Sequence, residues 1–190
     1  MSRILTPAIL SLFYITLSAQ TLPDNFFFEQ ISVPGTIQSA ITEDILQDPY
    51  GMLWLGKDAL YRYNGRDFTK YDMILPDSGL FSTREITRLR WDHARDRLLI
   101  GTRNYGIVQY DYKTDKMHKL PSRDGVPIIN DITVYNGEIW ATSFPSGFFK
   151  VVNDTLVRVH NLSDFHQPTR MAIAGNDLWM VCQRCGCCSG

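Results

Sequence analysis

Short strings of alternating apolar and polar residues recur along the chain, and turn-forming residues separate them. The clearest example is ITEDILQDPYGMLWLGKDALYRYNGRDFTKY, residues 41–71. Its DPYG segment, residues 48–51, has the residue preferences of a type I turn, and its NG pair, residues 64–65, is typical of a hairpin. Between these turns the pattern predicts four short strands, A to D, at residues 42–47, 52–56, 59–63 and 67–71.

The same pattern recurs further along the chain. LWLG at 53–56 aligns with LLIGT at 98–102, IWAT at 139–142 and LWMV at 178–181. The aligned positions Trp54, Leu99, Trp140 and Trp179 are 45, 41 and 39 residues apart. A period near 40 residues that contains four short strands is typical of a β-propeller blade. A β-sandwich of unrelated hairpins is the alternative, but it does not require Trp and Gly at the same phase of each period.

The later periods predict further blades. The second gives strands at 86–91, 97–102, 106–111 and 116–120, and the third at 130–135, 138–142, 147–151 and 155–160. A fourth period begins at Arg170, turns at residues 175–176 and passes into a cysteine-rich end. We therefore predict an all-β fold, a partial β-propeller of about three and a half four-stranded antiparallel blades.

The two ends of the chain differ from this pattern. Residues 1–19 place Arg3 before an apolar run and end in small residues, which is the layout of a secretory signal peptide. An uncleaved anchor is the alternative, although the run is shorter than the ~20 residues of a spanning helix. We expect a signal peptide at 1–19, an incomplete propeller at 20–181 and a tail at 182–190, with no membrane span in the mature chain.

The tail CQRCGCCSG holds all four cysteines. A structural zinc site joins two separated ligand pairs, and the sequence offers no second pair. We expect an unstructured or aberrant end rather than a metal site, and we expect neither metal nor cofactor. With 19 basic and 20 acidic residues, the chain lacks the positive charge that attracts nucleic acid.

Residues 41–71 resemble the two-component regulator propeller repeat, whose typical unit reads I-x-x-I-x-Q-D-x-x-G-x-L-W-I-G-T-x-x-G-L-x-R-Y-D. Residues 86–114 are similar to it more loosely, and the third blade departs from it, with Ala141-Thr142 in place of a Leu-Gly pair. The resemblance implies the exported, periplasmic sensor part of a membrane-bound regulator, often a hybrid histidine kinase, and a small-molecule or oligosaccharide ligand.

The resemblance also implies that FFFEQI, residues 26–31, serves as the outermost strand of the last blade in a complete ring. Closed propellers have four to eight blades. We therefore expect a truncated product, a fragment, or a chain that pairs with further blades or with a second copy.

Alignment of the innermost strands places charged residues of alternating sign at one position of successive blades: Asp44, Arg88, Asp131 and Arg170. Neighbouring A strands lie side by side around the axis, so these side chains are expected to form ion pairs between blades. They are also candidates for binding a sugar hydroxyl or an acidic group of a ligand.

Loops that join strands B to C and D to A gather on one face of a propeller, where ligands usually bind. The residues predicted on that face are Lys57, Asp58, Thr83, Arg84, Arg103, Asn104, Tyr105, Ser143 and Phe144. Arg84, Arg103, Asn104 and Tyr105 are the ligand-binding candidates among them, because planar donors and an aromatic ring suit carbohydrate. Solvated loop side chains without a ligand are the alternative.

The recurrent residues Trp54, Trp140 and Trp179 are expected in the core. Two functions from different classes remain open. The first is a non-enzymatic, ligand-sensing exported propeller segment that lacks its effector module. The second is a propeller hydrolase or lyase for glycans, in which Asp44 and Asp131 form an acid/base pair; an inactive remnant is a third possibility. Since Arg88 lies between the two carboxylates, we expect no catalytic residues and no enzymatic activity.

Overall fold

The structure is a computed structural model of the chain, and every secondary-structure element in the residues that it describes is a strand. It describes residues 29–33, 41–57, 59–71, 74–75, 79–80, 86–125, 127–143, 147–159, 168–182 and 186–189. The chain divides into two compact units, residues 1–32 and 33–190. The predicted signal peptide at 1–19 lies outside the described residues, and so does 26–28 of the predicted closing strand; residues 29–31 are exposed and belong to no strand.

The strands form four blades and one small hairpin. Blade 1 consists of β1 (Asp44–Gln47), β2 (Leu53–Gly56), β3 (Leu60–Tyr63) and β4 (Phe68–Tyr71). The hairpin consists of β5 (Ile74–Leu75) and β6 (Gly79–Leu80). Blade 2 consists of β7 (Ile86–Asp92), β8 (Arg97–Thr102), β9 (Ile107–Asp111) and β10 (Lys116–Lys119). Blade 3 consists of β11 (Ile129–Tyr135), β12 (Glu138–Ser143), β13 (Gly147–Val152) and β14 (Thr155–Arg158). Blade 4 consists of β15 (Pro168–Ala174), β16 (Asp177–Cys182) and β17 (Gly186–Ser189).

Each blade is an antiparallel meander in which consecutive strands pair, and the first strands of the blades, β1, β7, β11 and β15, are neighbours in that order. The predicted fold, an all-β partial propeller, is confirmed. The end of the chain differs from the expectation of half a blade and an unstructured tail. Gly186–Ser189 pairs with β16, from Cys182↔Gly186 to Trp179↔Ser189, and is the third strand of blade 4.

Turns predicted from the sequence connect consecutive strands within the blades. The amide of Gly51 donates to the carbonyl of Asp48 at 3.1 Å, as in a type I turn. Asn136 and Gly137 both have positive φ, 52° and 74°, and join paired residues directly, as a two-residue hairpin requires. The pair at 64–65 belongs to a longer loop, because Tyr63 pairs with Phe68.

Apolar side chains fill the space between successive blades and form three clusters. The first joins blades 1 and 2 around Trp54, the second joins blades 2 and 3 around Leu99 and Phe149, and the third joins blades 3 and 4 around Met171 and Met180. A blade of four short strands cannot bury both of its faces alone, so each blade is stabilised by its neighbours.

The core prediction is confirmed for Trp54, which is fully buried, and is wrong for Trp179, which is 39% exposed. Trp140 is half-buried against the third cluster. All three lie on the blade face directed to the next blade in sequence. Blade 2 covers Trp54 and blade 4 packs on Trp140, whereas no described residue covers Trp179 in this way.

Each first strand of blades 2 to 4 carries a β-bulge near its start, at Thr87, Asn130 and Thr169. Two of these bulge side chains connect blades. The hydroxyl of Thr87 donates to the carbonyl of Ile129 at 2.6 Å, and the amide of Asn130 donates to the carbonyl of Pro168 at 3.3 Å. The bulges therefore link the first strands of neighbouring blades with hydrogen bonds that a regular strand would not provide.

Candidate functional site

Four charged side chains meet between the first strands of blades 1 to 3. The Arg88 guanidinium lies 3.0 Å from Asp131 and 3.6 Å from Asp44. The predicted ion pairing of Asp44, Arg88 and Asp131 is confirmed. Asp131 is almost fully buried, with 2% of its side chain exposed, so these charges neutralise one another away from water.

Arg90 completes this group, which we call the axial charge cluster: Asp44, Arg88, Arg90 and Asp131. Its guanidinium lies 3.4 Å from Asp44 and 3.5 Å from Asp131. Arg90 was missed in the sequence because it lies two residues beyond the repeat position, although strand alternation places residues 88 and 90 on the same side of β7. With 33% of its side chain exposed, Arg90 is the most accessible member of the cluster.

Both carboxylates also fix the backbone of the following blade. Asp44 accepts a hydrogen bond from the amide of Leu89 at 2.9 Å, and Asp131 accepts one from the amide of Met171 at 2.8 Å. Both carboxylates therefore accept a backbone hydrogen bond from the following blade and also form ion pairs with guanidinium groups.

Arg170, the fourth residue of the predicted series, lies apart from this cluster. Its side chain is exposed, and within the described ranges it makes no ion pair. Arg170 is on the face of blade 4 that points away from blade 3, opposite Val181 in the sheet, and no described blade lies on that face to supply a carboxylate as Asp131 does for Arg88.

The loop between β8 and β9 presents the predicted residues Arg103, Asn104 and Tyr105. Arg103 and Asn104 are exposed, and Tyr105 is half-buried against the first apolar cluster. The hydroxyl of Thr102 holds the loop closed, since it donates to the carbonyl of Gly106 at 2.8 Å and accepts from the amide of Tyr105 at 3.0 Å. This loop therefore has a defined conformation at its base and polar side chains at its tip.

The loop and the axial charge cluster lie at the same end of the blades. Arg88 pairs with Gly101, and Asp44 pairs with Gly56, so each is one or two residues from the loop that follows the second strand of its blade. The register therefore places these two sets of side chains at one end of the propeller.

The other residues predicted on this face are buried, half-buried or outside the described residues. Ser143 is fully buried and is not available to a ligand, because β12 extends one residue further than predicted. Lys57 is half-buried. Asp58, Thr83, Arg84 and Phe144 lie outside the described residues.

A second buried carboxylate, missed in the sequence, is a structural centre. Asp48 accepts hydrogen bonds from the amides of Tyr50 and Met52, both at 2.9 Å, from the indole of Trp54 at 2.8 Å, and from the hydroxyl of Tyr112 in blade 2. Burial and the hydrogen bond to Asp48 raise the pKa of Tyr112 above its usual value. Because these four donors already occupy its two oxygens, Asp48 is not a candidate for binding a ligand.

Comparison with solved structures gives matches to β-rich extracellular domains and to an enzyme. The extracellular domain of a protein assigned as a hybrid two-component system of B. thetaiotaomicron matches with a TM-score of 0.64 at 18% identity, over 76% of this chain and 22% of that chain. A second such domain from the same organism matches with a TM-score of 0.62 at 20% identity, over 78% of this chain and 23% of that chain.

A catalytically inactive variant of virginiamycin B lyase from Staphylococcus aureus also matches, with a TM-score of 0.59 at 14% identity, over 83% of this chain and 57% of that chain. No protein-family model and no curated protein matches the sequence. Among the residues that the structure describes, no helix has the length and apolar character needed to cross a membrane. This chain thus has the blade fold found in extracellular domains of two-component systems, and it spans less than a quarter of the length of those two domains.

Proposed function

We propose that this chain is an exported, periplasmic β-propeller segment that binds a small-molecule or oligosaccharide ligand for a two-component-type regulator. The observation that carries the proposal is the position of Arg90, whose side chain is one-third exposed and whose guanidinium lies beside the carboxylates of Asp44 and Asp131, near the loop end of the propeller. Arg103, Asn104 and Tyr105 lie at the same end and add donors and an aromatic ring.

The chemistry of these side chains suits a polar, planar-edged ligand. A guanidinium presents several donors in a fixed fork, which matches a carboxylate or a pair of sugar hydroxyls. Tyr105 adds an apolar ring face of the kind that packs on a sugar. Because Asp44 and Asp131 already neutralise Arg88 and Arg90, a neutral or weakly acidic ligand is favoured over a strong anion.

The rival proposal, a glycan hydrolase or lyase, requires two carboxyl groups with different roles, one of which carries a proton. Asp44 and Asp131 instead have nearly the same surroundings, each within 3.6 Å of the guanidinium groups of both Arg88 and Arg90. Each also accepts a backbone hydrogen bond. This similarity supports a binding module, and it disfavours an acid/base pair.

A ligand-binding assay with a matched control tests the proposal. Thermal shift and calorimetry are run with neutral oligosaccharides and with oligosaccharides that contain uronic acid. We expect one class to raise the melting temperature, and we expect Arg103→Ala to weaken that binding about tenfold, which corresponds to one lost charged hydrogen bond.

Arg66→Ala is the control, because Arg66 lies in the loop at the opposite end of blade 1 and its side chain is 91% exposed. Its binding should equal that of the unsubstituted chain. Cleavage products in the chromatogram of any sugar would favour the enzyme instead. Absence of binding to every class would leave the remnant as the better description.

A further inference from the structure

Blade 4 exposes an apolar face, whereas the equivalent face of each earlier blade is covered by the blade that follows it. Trp179 and Val181, with 39% and 44% of their surface exposed, lie on this face together with Ala172 and Arg170. The register-equivalent residues of the earlier blades, such as Trp54 and Leu99, are fully buried by the blade that follows them. We call Arg170, Ala172, Trp179 and Val181 the blade 4 face.

At one contact between successive blades, the sizes of the two facing residues are matched. Gly56 and Gly101 occupy one register position in blades 1 and 2, and each faces an isoleucine that begins the following blade. A Cβ at Gly56 would lie 2.6 Å from Ile86, and a Cβ at Gly101 would lie 2.8 Å from Ile129. A glycine is therefore matched to a large first residue of the next blade.

The matched sizes change where the glycine is replaced. Thr142 occupies the same position in blade 3 and is fully buried. The following blade, blade 4, begins with Pro168 and not with an isoleucine. Val181 occupies the position in blade 4, so the blade that covers it must begin with a small residue. The corresponding residue of blade 1 is Thr42, which lies two positions before Asp44 and is exposed.

The charged residues of the first strands also indicate blade 1 as the blade that covers this face. Along the first strands the signs alternate, because Asp44 is followed by Arg88, Asp131 and Arg170. Arg88 lies 3.0 Å from the carboxylate of the following blade, whereas Arg170 has no such partner among the described residues. The blade that covers Arg170 should carry a carboxylate at this position, and blade 1 carries Asp44 there.

From these two matches we propose that the blade 4 face binds blade 1 of a second copy of this chain. Ile45, on the face of β1 that points away from blade 2, is an exposed apolar residue, as the proposal requires. Two copies joined head to tail make two identical contacts and bring eight blades together, which is within the range of closed propellers. The inference is independent of whether the propeller binds a sugar.

Sedimentation velocity of the purified chain from about 1 to 100 µM tests the association. We expect a species with twice the mass of one chain and a blue shift of tryptophan emission as it forms, because Trp179 becomes buried. Val181→Asp should weaken association about a hundredfold or more, since it buries a charge in an apolar contact and places a carboxylate beside Arg170, which the proposal pairs with Asp44 of the second copy. Val152→Asp is the control, because Val152 is equally exposed, at 45%, on blade 3, and it should leave association unchanged.

A second pair of variants tests the specific contact. Thr42→Ile should weaken association roughly tenfold by overpacking against Val181, and Val181→Gly in the same chain should restore it, because the pair then matches Gly56 and Ile86. Circular dichroism of each variant confirms that it is folded. A single-chain mass at every concentration would overturn the proposal and favour another blade as the occupant. A dimer indifferent to Val181→Asp, or a Thr42→Ile defect that Val181→Gly does not repair, would overturn it as well.

Discussion

Replacing Gly101 with alanine tests the packing between blades 2 and 3. The added Cβ would lie 2.8 Å from Cγ2 of Ile129, 3.1 Å from Oγ1 of Thr87 and 3.2 Å from Cδ1 of Ile132. Carbon atoms pack best at about 3.5–4.0 Å, so the closest contact is short by about 0.7 Å or more. The β-branched side chain of Ile129 is stiff at χ1 and is held by a paired strand, so it cannot easily move away.

The expected cost follows from this crowding. Overpacking a buried site costs about 1–3 kcal/mol, and the loss of glycine flexibility in the unfolded chain offsets about 0.4–1 kcal/mol. We expect Gly101→Ala to lower the free energy of unfolding by about 1–2 kcal/mol, seen as a lower urea midpoint with an unchanged slope. The melting temperature should fall by roughly 2–8 °C.

A double-mutant cycle identifies the cause. Ile129→Ala alone should cost about 2–5 kcal/mol, and its cost should be about 1 kcal/mol smaller when residue 101 is alanine, because the new methyl group then fills part of the space. Thr142→Val is the control at the same register position in blade 3. Its Oγ1 is buried without a hydrogen-bond partner in the described residues, so the change should be close to neutral. Additive costs in the cycle, or a Gly101→Ala chain as stable as the original, would refute the packing argument.

Other substitutions test the remaining contacts. Trp54→Ala should cost about 3–5 kcal/mol in urea unfolding. Trp54→Phe should cost less, because it keeps an aromatic ring, although it loses the indole hydrogen bond to Asp48. Arg88→Leu should cost about 3–5 kcal/mol in the same assay, because it removes the nearest cation from buried Asp131. The raised pKa of Tyr112 favours its protonated form in the folded chain, so stability present below the unfolded pKa of 10.0 should be lost as pH rises above it. Thermal melts at pH 8 and about 10.5 should show this loss, and Tyr112→Phe should reduce it.

Local signals in the sequence were sufficient to locate the blades. Strand β8 (Arg97–Thr102) has the predicted bounds, and the hairpin at Asn136-Gly137 has the predicted turn. Both depend on a few adjacent residues, because turn conformations and strand alternation are short-range properties. The alternating charges were also predictable once the periods were aligned, since equivalent positions of neighbouring blades lie side by side.

Features that depend on contacts between blades were not predictable in this way. Arg90 joins the axial charge cluster through the register of β7 against its neighbours, and Thr87 reaches Ile129 only because a bulge rotates it out of the regular alternation. Trp179 has the sequence surroundings of a core residue, yet its burial depends on what lies next to blade 4. The strand Gly186–Ser189 has the composition of a tail and is fixed by pairing with β16.

The carboxylate of Asp48 has a kinetic consequence for the chain. It orders the turn of blade 1 through the amides of Tyr50 and Met52, and it is itself held by the hydroxyl of Tyr112 from blade 2. Amide hydrogens exchange with solvent when local structure opens. Loss of Tyr112 should therefore speed exchange at Met52, so that a first-blade amide reports the opening of the second blade and the two blades exchange as one cooperative unit.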